Sequence, residues 1–186
     1  MPSPARPRDN AAMAGSADVR VRPARPSDAA AVASIYNQGI AERQATFETR
    51  PRGARDVAPR LASSSHPALV AELGDGVIGW AWLTPYSDRA AYAGVAEASL
   101  YVRTEARGRG VGTRLAEALA TAAERRGFHK LLGKVFTTNA ASVRLVRRCG
   151  FREVGVHRCH GRLDGEWRDV VLVERLLGPA RKAQPP

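Results

Sequence analysis

Val95-Ala96-Glu97-Ala98-Ser99-Leu100-Tyr101-Val102, followed four residues later by Arg107-Gly108-Arg109-Gly110-Val111-Gly112, is the stretch from which the fold can be read. The first segment is an apolar strand broken by one carboxylate. The second packs three glycines into six residues. Directly after it, Val111, Leu115, Leu119 and Ala122 recur at i, i+4, i+8 and i+11, which is one stripe of a helix, and Gly127 is placed to stop it. The turn therefore joins the end of a strand to the start of a helix. Glycines let the backbone approach a ligand with no side chain between them, and free N–H groups at a helix start carry partial positive charge. Arg107 and Arg109 add two full charges. Such a junction suits an anion, although the same composition also serves a tight turn that holds nothing.

Working outward, Met1 to Asp18 is rich in Pro, Ala and Arg, has no period, and reads as a disordered tail. Residues 178–186 read as a second tail, which leaves a single domain over 19–177. Val19 to Arg22 is a short strand, and Ser27 or Asp28 supplies an N-cap for a helix carrying Val32, Ile35 and Tyr36. Ala45 to Pro51 breaks that pattern, and a second short helix runs from about Ala54 to Ser63. Ala68 to Leu73 and Val77 to Leu83 are strands joined by the three-residue connection Gly74-Asp75-Gly76, a hairpin. Thr84 to Tyr92 is a polar loop. Beyond the central helix, Leu131 to Phe136 is a strand, and Asn139 caps a helix with Ser142, Leu145, Val146 and Cys149 that Gly150 terminates. Phe151 to His160 and Trp167 to Leu176 pair around Asp164-Gly165. The order β-α-α-β-β-β-α-β-α-β-β is mixed α/β, with no internal repeat and no second domain.

Composition narrows the function classes. A chain of 186 residues with 44% hydrophobic and 25% charged residues has ordinary globular make-up with a substantial core. No stretch approaches the ~20 apolar residues of a membrane span, and the first eighteen residues lack the apolar region of a secretory signal, so a cytoplasmic location is expected. The net charge of +11 comes mostly from arginines dispersed among acidic residues and alanines, without a basic run interleaved with aromatics. That pattern gives little support to nucleic-acid binding. Cys149 and Cys159 read as free thiols. His157, Cys159 and His160 raise the question of a metal, but strand alternation places His160 on the face opposite the other two, and no second ligand pair occurs at zinc-site spacing. No metal is expected.

From Val19 to Leu177 the chain resembles the GCN5-related N-acetyltransferase (GNAT) superfamily, and within it the phosphinothricin-type acetyltransferases. Arg107-x-x-Gly110-x-Gly112 is similar to the superfamily's Q/R-x-x-G-x-G/A loop, and Asn139-Ala-Ala-Ser142 with Cys149-Gly150-Phe151 resembles its N-x-x-S…G-F/Y segment. Ile35-Tyr36-Asn37 with Thr46-Phe47 and Arg50-Pro51 resembles the opening region of the subgroup. Arg89-Ala-Ala-Tyr92, followed by Ala96-Glu97-x-Ser99-x-Tyr101-Val102, resembles its central strand and preceding loop. The resemblance implies a central, mostly antiparallel twisted sheet flanked by helices, acetyl-CoA as cosubstrate, and a homodimer. It also implies that Leu100, Val102, Arg107, Gly108, Arg109, Gly110, Val111, Gly112, Asn139 and Ser142 form the acetyl-CoA seat.

Acetyl transfer from a thioester needs a neutral amine, so a group must take the amine's proton. Alternation puts Glu97 on one face of a small, apolar strand with Val95, Ser99 and Tyr101; partial burial there is expected to raise a carboxylate towards the range of a useful base. The resemblance implies the same role. The alternative is a glutamate facing solvent or paired with an arginine. Arg107 and Arg109 either neutralise a pyrophosphate or are solvated; Asn139 either meets the pantetheine arm or only caps its helix. Arg89 and Tyr92 are candidates to hold an anionic group of the acceptor, against a surface arginine and a packed tyrosine. Phe47 either walls the amine pocket or is a core aromatic. Many superfamily members carry a tyrosine in the second half of the Asn139 helix that protonates the departing thiolate. Here Val146, Arg147, Arg148 and Cys149 occupy that region and no phenol is available. Cys149 reads as a packing residue, not an acyl carrier. The leading expectation is acetylation of the α-amine of a small amino-acid analogue of the phosphinothricin, methionine sulfoximine or arsinothricin type, with detoxification as its purpose. Acetylation of a peptide or protein N-terminus or another small amine, and a basic nucleic-acid-binding module, are the alternatives.

Overall fold

The computed structural model describes residues 19–183. In chain order the elements are β1 (Arg20–Pro23), α1 (Ala29–Glu42), α2 (Ala54–Ala62), β2 (Ala68–Leu73), β3 (Gly76–Pro85), β4 (Val95–Val102), α3 (Val111–Arg125), β5 (Lys130–Phe136), α4 (Ala140–Arg148), β6 (Arg152–Leu163) and β7 (Glu166–Leu176). This is the order that the periodicities predict. The seven strands form one sheet, β1-β2-β3-β4-β5-β7-β6, antiparallel at every pairing except β4–β5.

Alternation along β4 divides the core between the two faces of the sheet. Ala96, with Ala98, Leu100 and Val102, packs against Val111, Leu115 and Leu119 of α3. On the other face Tyr101 joins Val32 and Ile35 of α1, Val57 and Leu61 of α2, and Trp80 of β3. Burying one such large side chain contributes about 1.5–3 kcal/mol, so the α3 stripe alone is enough to hold that helix on the sheet. Polar ties fix the near edge: the Arg22 guanidinium donates to both carboxylate oxygens of Asp28 (2.8 and 2.9 Å) and to Glu72 (2.8 Å). Asp28 precedes α1 as expected, but its carboxylate accepts from the Arg25 N–H at 2.7 Å and leaves the first turn of α1 without a side-chain cap.

Three local expectations differ from the structure. The β2–β3 turn has two residues, not three, because Gly76 pairs with Leu73 and leaves only Gly74 and Asp75 in the loop. The alternation assumed for β6 fails where its register with β7 shifts between His157 and Gly161; Cys159 adopts φ 49° and the His157 and His160 Nδ1 atoms come to 3.2 Å. The expected C-terminal tail begins with a 3-10 turn over Gly178–Arg181, in which Arg181 Nε donates to the Leu176 carbonyl at 3.0 Å. The tail assigned to Met1–Asp18 and residues 184–186 lie outside the described residues.

The feature that places the site is the parting of β4 from β5. Their parallel ladder covers only Val95↔Lys130, Ala96↔Leu131 and Glu97↔Leu132. Beyond it β4 stays with β3 as far as Val102, and β5 stays with β7 as far as Phe136. Each strand keeps its outer partner and loses the inner one, so a cleft opens in the sheet immediately after Glu97.

Candidate active site

A cavity of about 690 Å³ fills this cleft. One wall is β4 from Glu97 to Tyr101, a second is β5 from Gly133 to Phe136, and a third is the segment after α1 from Ala45 to Arg50. Leu145 and Val146 of α4, Cys149 at its C-cap and the His160-Gly161 bulge of β6 close it. A second cavity of about 350 Å³ lies between the glycine turn and α4. Ala45, Leu100, Asn139, Ser142 and Leu145 line both, so the two adjoin.

The turn has the geometry its glycines permit. Gly108 and Gly110 take φ 76° and 79°, and a Cβ at either position meets nothing within 4 Å, so backbone conformation and not space demands glycine there. Gly110 is the N-cap of α3, no side chain caps the first turn, and Val111, Gly112 and Thr113 line the second cavity. Gly112 answers a different need: a Cβ there would lie 3.0 Å from Leu145 Cδ2, where α3 and α4 approach each other. Leu100 and Val102 line the same cavity.

Arg107 lines it too, but its guanidinium is held by the Val102 carbonyl (3.0 Å) and by Glu42 (2.9 Å). Arg109 lines neither cavity. The cations facing the turn from the other side are Arg144 and Arg148 of α4, which the sequence reading did not single out. Their spacing of four, one stripe of a helix, was the available signal. Asn139 uses both ends of its amide: Oδ1 accepts from the Ser142 N–H (3.0 Å) as the cap, and Nδ2 donates to the Gln44 carbonyl (3.0 Å). The segment after α1 is thereby tied to the start of α4.

Glu97 sits at the apex of the cleft. Its surroundings are not the apolar ones expected: Oε2 accepts from Lys134 Nζ at 2.7 Å, and the glutamate side chain is 30% exposed. The reason is strand periodicity across the parting. Leu132 is the register partner of Glu97, and two residues on, on the same face of β5, stands Lys134. Lys134 also escaped the sequence reading, although it is the one charge inside the apolar run Leu131–Phe136.

Phe47 is partly buried against the small core cluster of Phe136, Leu163 and Val170. It lines the cavity, and its ring packs edge-to-face on Phe136 at 4.8 Å and against Gly161. Arg89 and Tyr92 line neither cavity. The β3–β4 connection reaches β4 at its first residue, before the cleft opens, and folds into a 3-10 turn over Ala90–Tyr92 that sets the exposed Tyr92 ring edge-on to Tyr86 at 5.6 Å. Two tyrosines not proposed from sequence line the cavity instead. Tyr101 Oη donates to the Ala45 carbonyl at 3.0 Å, and Tyr36 Oη lies 3.2 Å from Thr46 Oγ1; burial pushes both phenols above their ordinary pKa. Cys149 is buried, and burial pushes its thiol up as well, which disfavours the thiolate a nucleophile needs. Among the described residues no group of three or more His, Cys, Asp or Glu side chains is placed to hold a metal, and no helix is long and apolar enough to cross a membrane.

The uncapped start of α3 at the glycine turn lines a cavity that adjoins the cleft where two parallel strands part, an arrangement that can take a long ligand with an anionic group. The sequence profile of the acetyltransferase (GNAT) family matches residues 34–151, which take in the glycine turn, the parted strands and α4. The chain belongs to the GNAT acetyltransferase family. It is 36% identical to the phosphinothricin N-acetyltransferase of Streptomyces coelicolor over 89% of its own length and 100% of that protein. It is 32% identical to the L-methionine sulfoximine/L-methionine sulfone acetyltransferase of Pseudomonas aeruginosa over 88% of this chain and 97% of the relative. Among solved structures, a GNAT superfamily phosphinothricin acetyltransferase from Sinorhizobium meliloti in complex with acetyl-CoA matches with a TM-score of 0.83 at 28% identity, covering 91% of this chain and 94% of that one. This GNAT chain is accordingly an N-acetyltransferase, and its uncapped α3 start, the facing cations of α4 and the cleft leading to Glu97 fit acetyl-CoA.

Proposed function

We propose that the enzyme acetylates the α-amine of a small amino-acid analogue of the phosphinothricin, methionine sulfoximine or arsinothricin type, in a detoxifying role, with Glu97 as general base. The observation that carries this reading is the continuity of the two cavities, from the glycine turn to Glu97 at the apex of the cleft. Acetyl-CoA, when bound, supplies a thioester carbonyl and a thiolate leaving group. The N–H groups of Val111, Gly112 and Thr113, with Arg144 and Arg148, hold its pyrophosphate by charge-assisted hydrogen bonds. Leu100, Val102 and Leu145 flank the arm. The edge of β4 released by β5 offers it backbone hydrogen bonds, while Asn139 keeps the adjoining segment in place.

Glu97 takes one N–H proton from the acceptor's ammonium group. The freed lone pair attacks the thioester carbon, the C–S bond breaks, the thiolate leaves with that electron pair, and the second proton lost by the nitrogen reaches the thiolate through solvent, leaving a neutral amide and a thiol. Tyr36, Thr46 and Phe47 form the acceptor wall. The names of the curated relatives support the acceptor class, since one acts on phosphinothricin and another on methionine sulfoximine and methionine sulfone.

The test follows thiol release from acetyl-CoA across a panel of amino-acid analogues, amines and peptides. Loss of a positioned general base costs about 10²- to 10⁴-fold, so Glu97→Gln is expected to lower kcat by at least 100-fold with the preferred acceptor while leaving the Kd for acetyl-CoA within about twofold. A Glu97→Gln enzyme as fast as wild type removes Glu97 from the mechanism. Turnover confined to peptides or polyamines removes the acceptor class.

A further inference from the structure

We infer that Lys134 is the specificity-determining residue that recognises the α-carboxylate of the acceptor, and that it does so by exchanging its ion pair with Glu97 for one with the substrate. This rests on the acceptor class proposed above. The cleft contains two lysine or arginine side chains among its lining residues, Arg50 and Lys134. Of its two carboxylates, Glu48 is held by Arg52 at 2.6 Å, outside the lining, whereas Glu97 is held by Lys134 at 2.7 Å. The one carboxylate placed to meet the reacting nitrogen is therefore already in contact with a cation.

An α-amino acid carries its ammonium and carboxylate on the same carbon, so partners for the two must stand side by side. Glu97 and Lys134 do. Binding then replaces one ion pair by two: the ammonium moves onto Glu97 and the carboxylate onto Lys134, so that neither side chain and neither α-group of the acceptor is left without a partner. The exchange also frees the Glu97 Oε2 lone pairs that Lys134 occupies for the ammonium proton. A simple amine cannot complete it. Its ammonium would take Glu97 and leave the Lys134 ammonium unpaired beside a like charge, which disfavours amines and polyamines relative to zwitterions. The side group of the acceptor, several bonds farther from the nitrogen, lies beyond the reach of the same contact.

The experiment compares methionine sulfoximine with its carboxamide, which keeps the amine and side group but lacks the carboxylate, on wild type, Lys134→Met and Lys134→Arg. A hydrogen bond between charged groups corresponds to about 10- to 100-fold in affinity. Wild type should prefer the acid by that factor in kcat/KM and in calorimetric Kd. Lys134→Met should lose that factor on the acid and little on the carboxamide, chiefly through KM, and Lys134→Arg should recover most of it. The Lys134 side chain is 49% exposed, so the variants should fold, and an unchanged Kd for acetyl-CoA verifies it. Equal losses on both acceptors, or none on either, overturn the assignment while the acceptor class stands. If wild type acetylates neither compound, nor phosphinothricin, the acceptor class falls and this assignment with it.

Discussion

Gly112 offers a measure of how strongly acetyl-CoA binding depends on the approach of α3 to α4. A Cβ at this position would lie 3.0 Å from Leu145 Cδ2, 3.5 Å from Leu145 Cδ1 and 3.8 Å from Leu100 Cδ2. For Gly112→Ala the nearest contact asks Leu145 to yield by a few tenths of an ångström, and Leu145 is a flexible, partly exposed side chain. Against that small cost, alanine in a helix is favoured over glycine by about 0.5–1 kcal/mol. The two effects nearly cancel, and the alanine variant is expected to melt within about 2 °C of wild type. Gly112→Val behaves differently. Its two Cγ methyls are locked near a single rotamer in a helix and cannot turn away, so overpacking costs about 1–3 kcal/mol. For a domain of this size that corresponds to a loss of about 3–10 °C in Tm. The strain is relieved by moving α4 away from the turn, which widens the cavity shared by Gly112, Ser142, Arg144 and Arg148. The KM for acetyl-CoA should rise about tenfold or more, the equivalent of some 1.4 kcal/mol, while the KM for the acceptor changes by less than about threefold. Scanning calorimetry and thiol-release kinetics read both quantities. A valine variant with wild-type Tm and acetyl-CoA KM, or one in which only the acceptor KM rises, refutes the reasoning.

Beyond the Glu97 and Lys134 variants, two further outcomes are expected. Hydrogen bonds from Arg22 hold the Asp28 carboxyl below the usual carboxylate range, so its contribution is present above the unfolded value near pH 4 and is lost as pH falls through the folded one. Asp28→Asn should therefore cost about 1–3 kcal/mol in urea unfolding at pH 7, with the gap to wild type narrowing as pH falls below about 4; a gap that does not narrow between about pH 4 and pH 2 contradicts the assignment. A Cβ on Gly161 would sit 2.8 Å from Phe47 Cε1 and 2.9 Å from Cζ, so Gly161→Ala must displace the Phe47 ring from its seat on Phe136. The acceptor KM should rise about 3- to 30-fold with that of acetyl-CoA within twofold, and the reverse pattern would place Phe47 outside the acceptor pocket.

Much of the fold is legible in the chain because it depends on local periods. The stripe Val111, Leu115, Leu119 and the alternation from Val95 to Val102 state which face each residue buries before any partner is known, and Gly110, Asn139 and Gly150 mark helix ends through backbone chemistry that is local. Where a period is interrupted the reading fails. The bulge in β6 brought His157 and His160 together because a register shift is set by pairing with β7, not by β6 itself.

The candidate site divides along the same line. The residue types at the turn, with Glu97 as the lone carboxylate of an apolar strand, are enough to expect an anion seat and a proton acceptor, because local geometry and composition dictate both. What surrounds Glu97 is another matter. Its partner, Lys134, lies 37 positions away in sequence, and Arg89, eight positions before it, points elsewhere. Side-chain proximity between distant segments arises only from which strands pair and where they part. By itself the sequence determined the elements, the turn and the lone carboxylate of the β4 strand; only the tertiary structure decided that β4 and β5 separate after Glu97, and therefore which cation meets it.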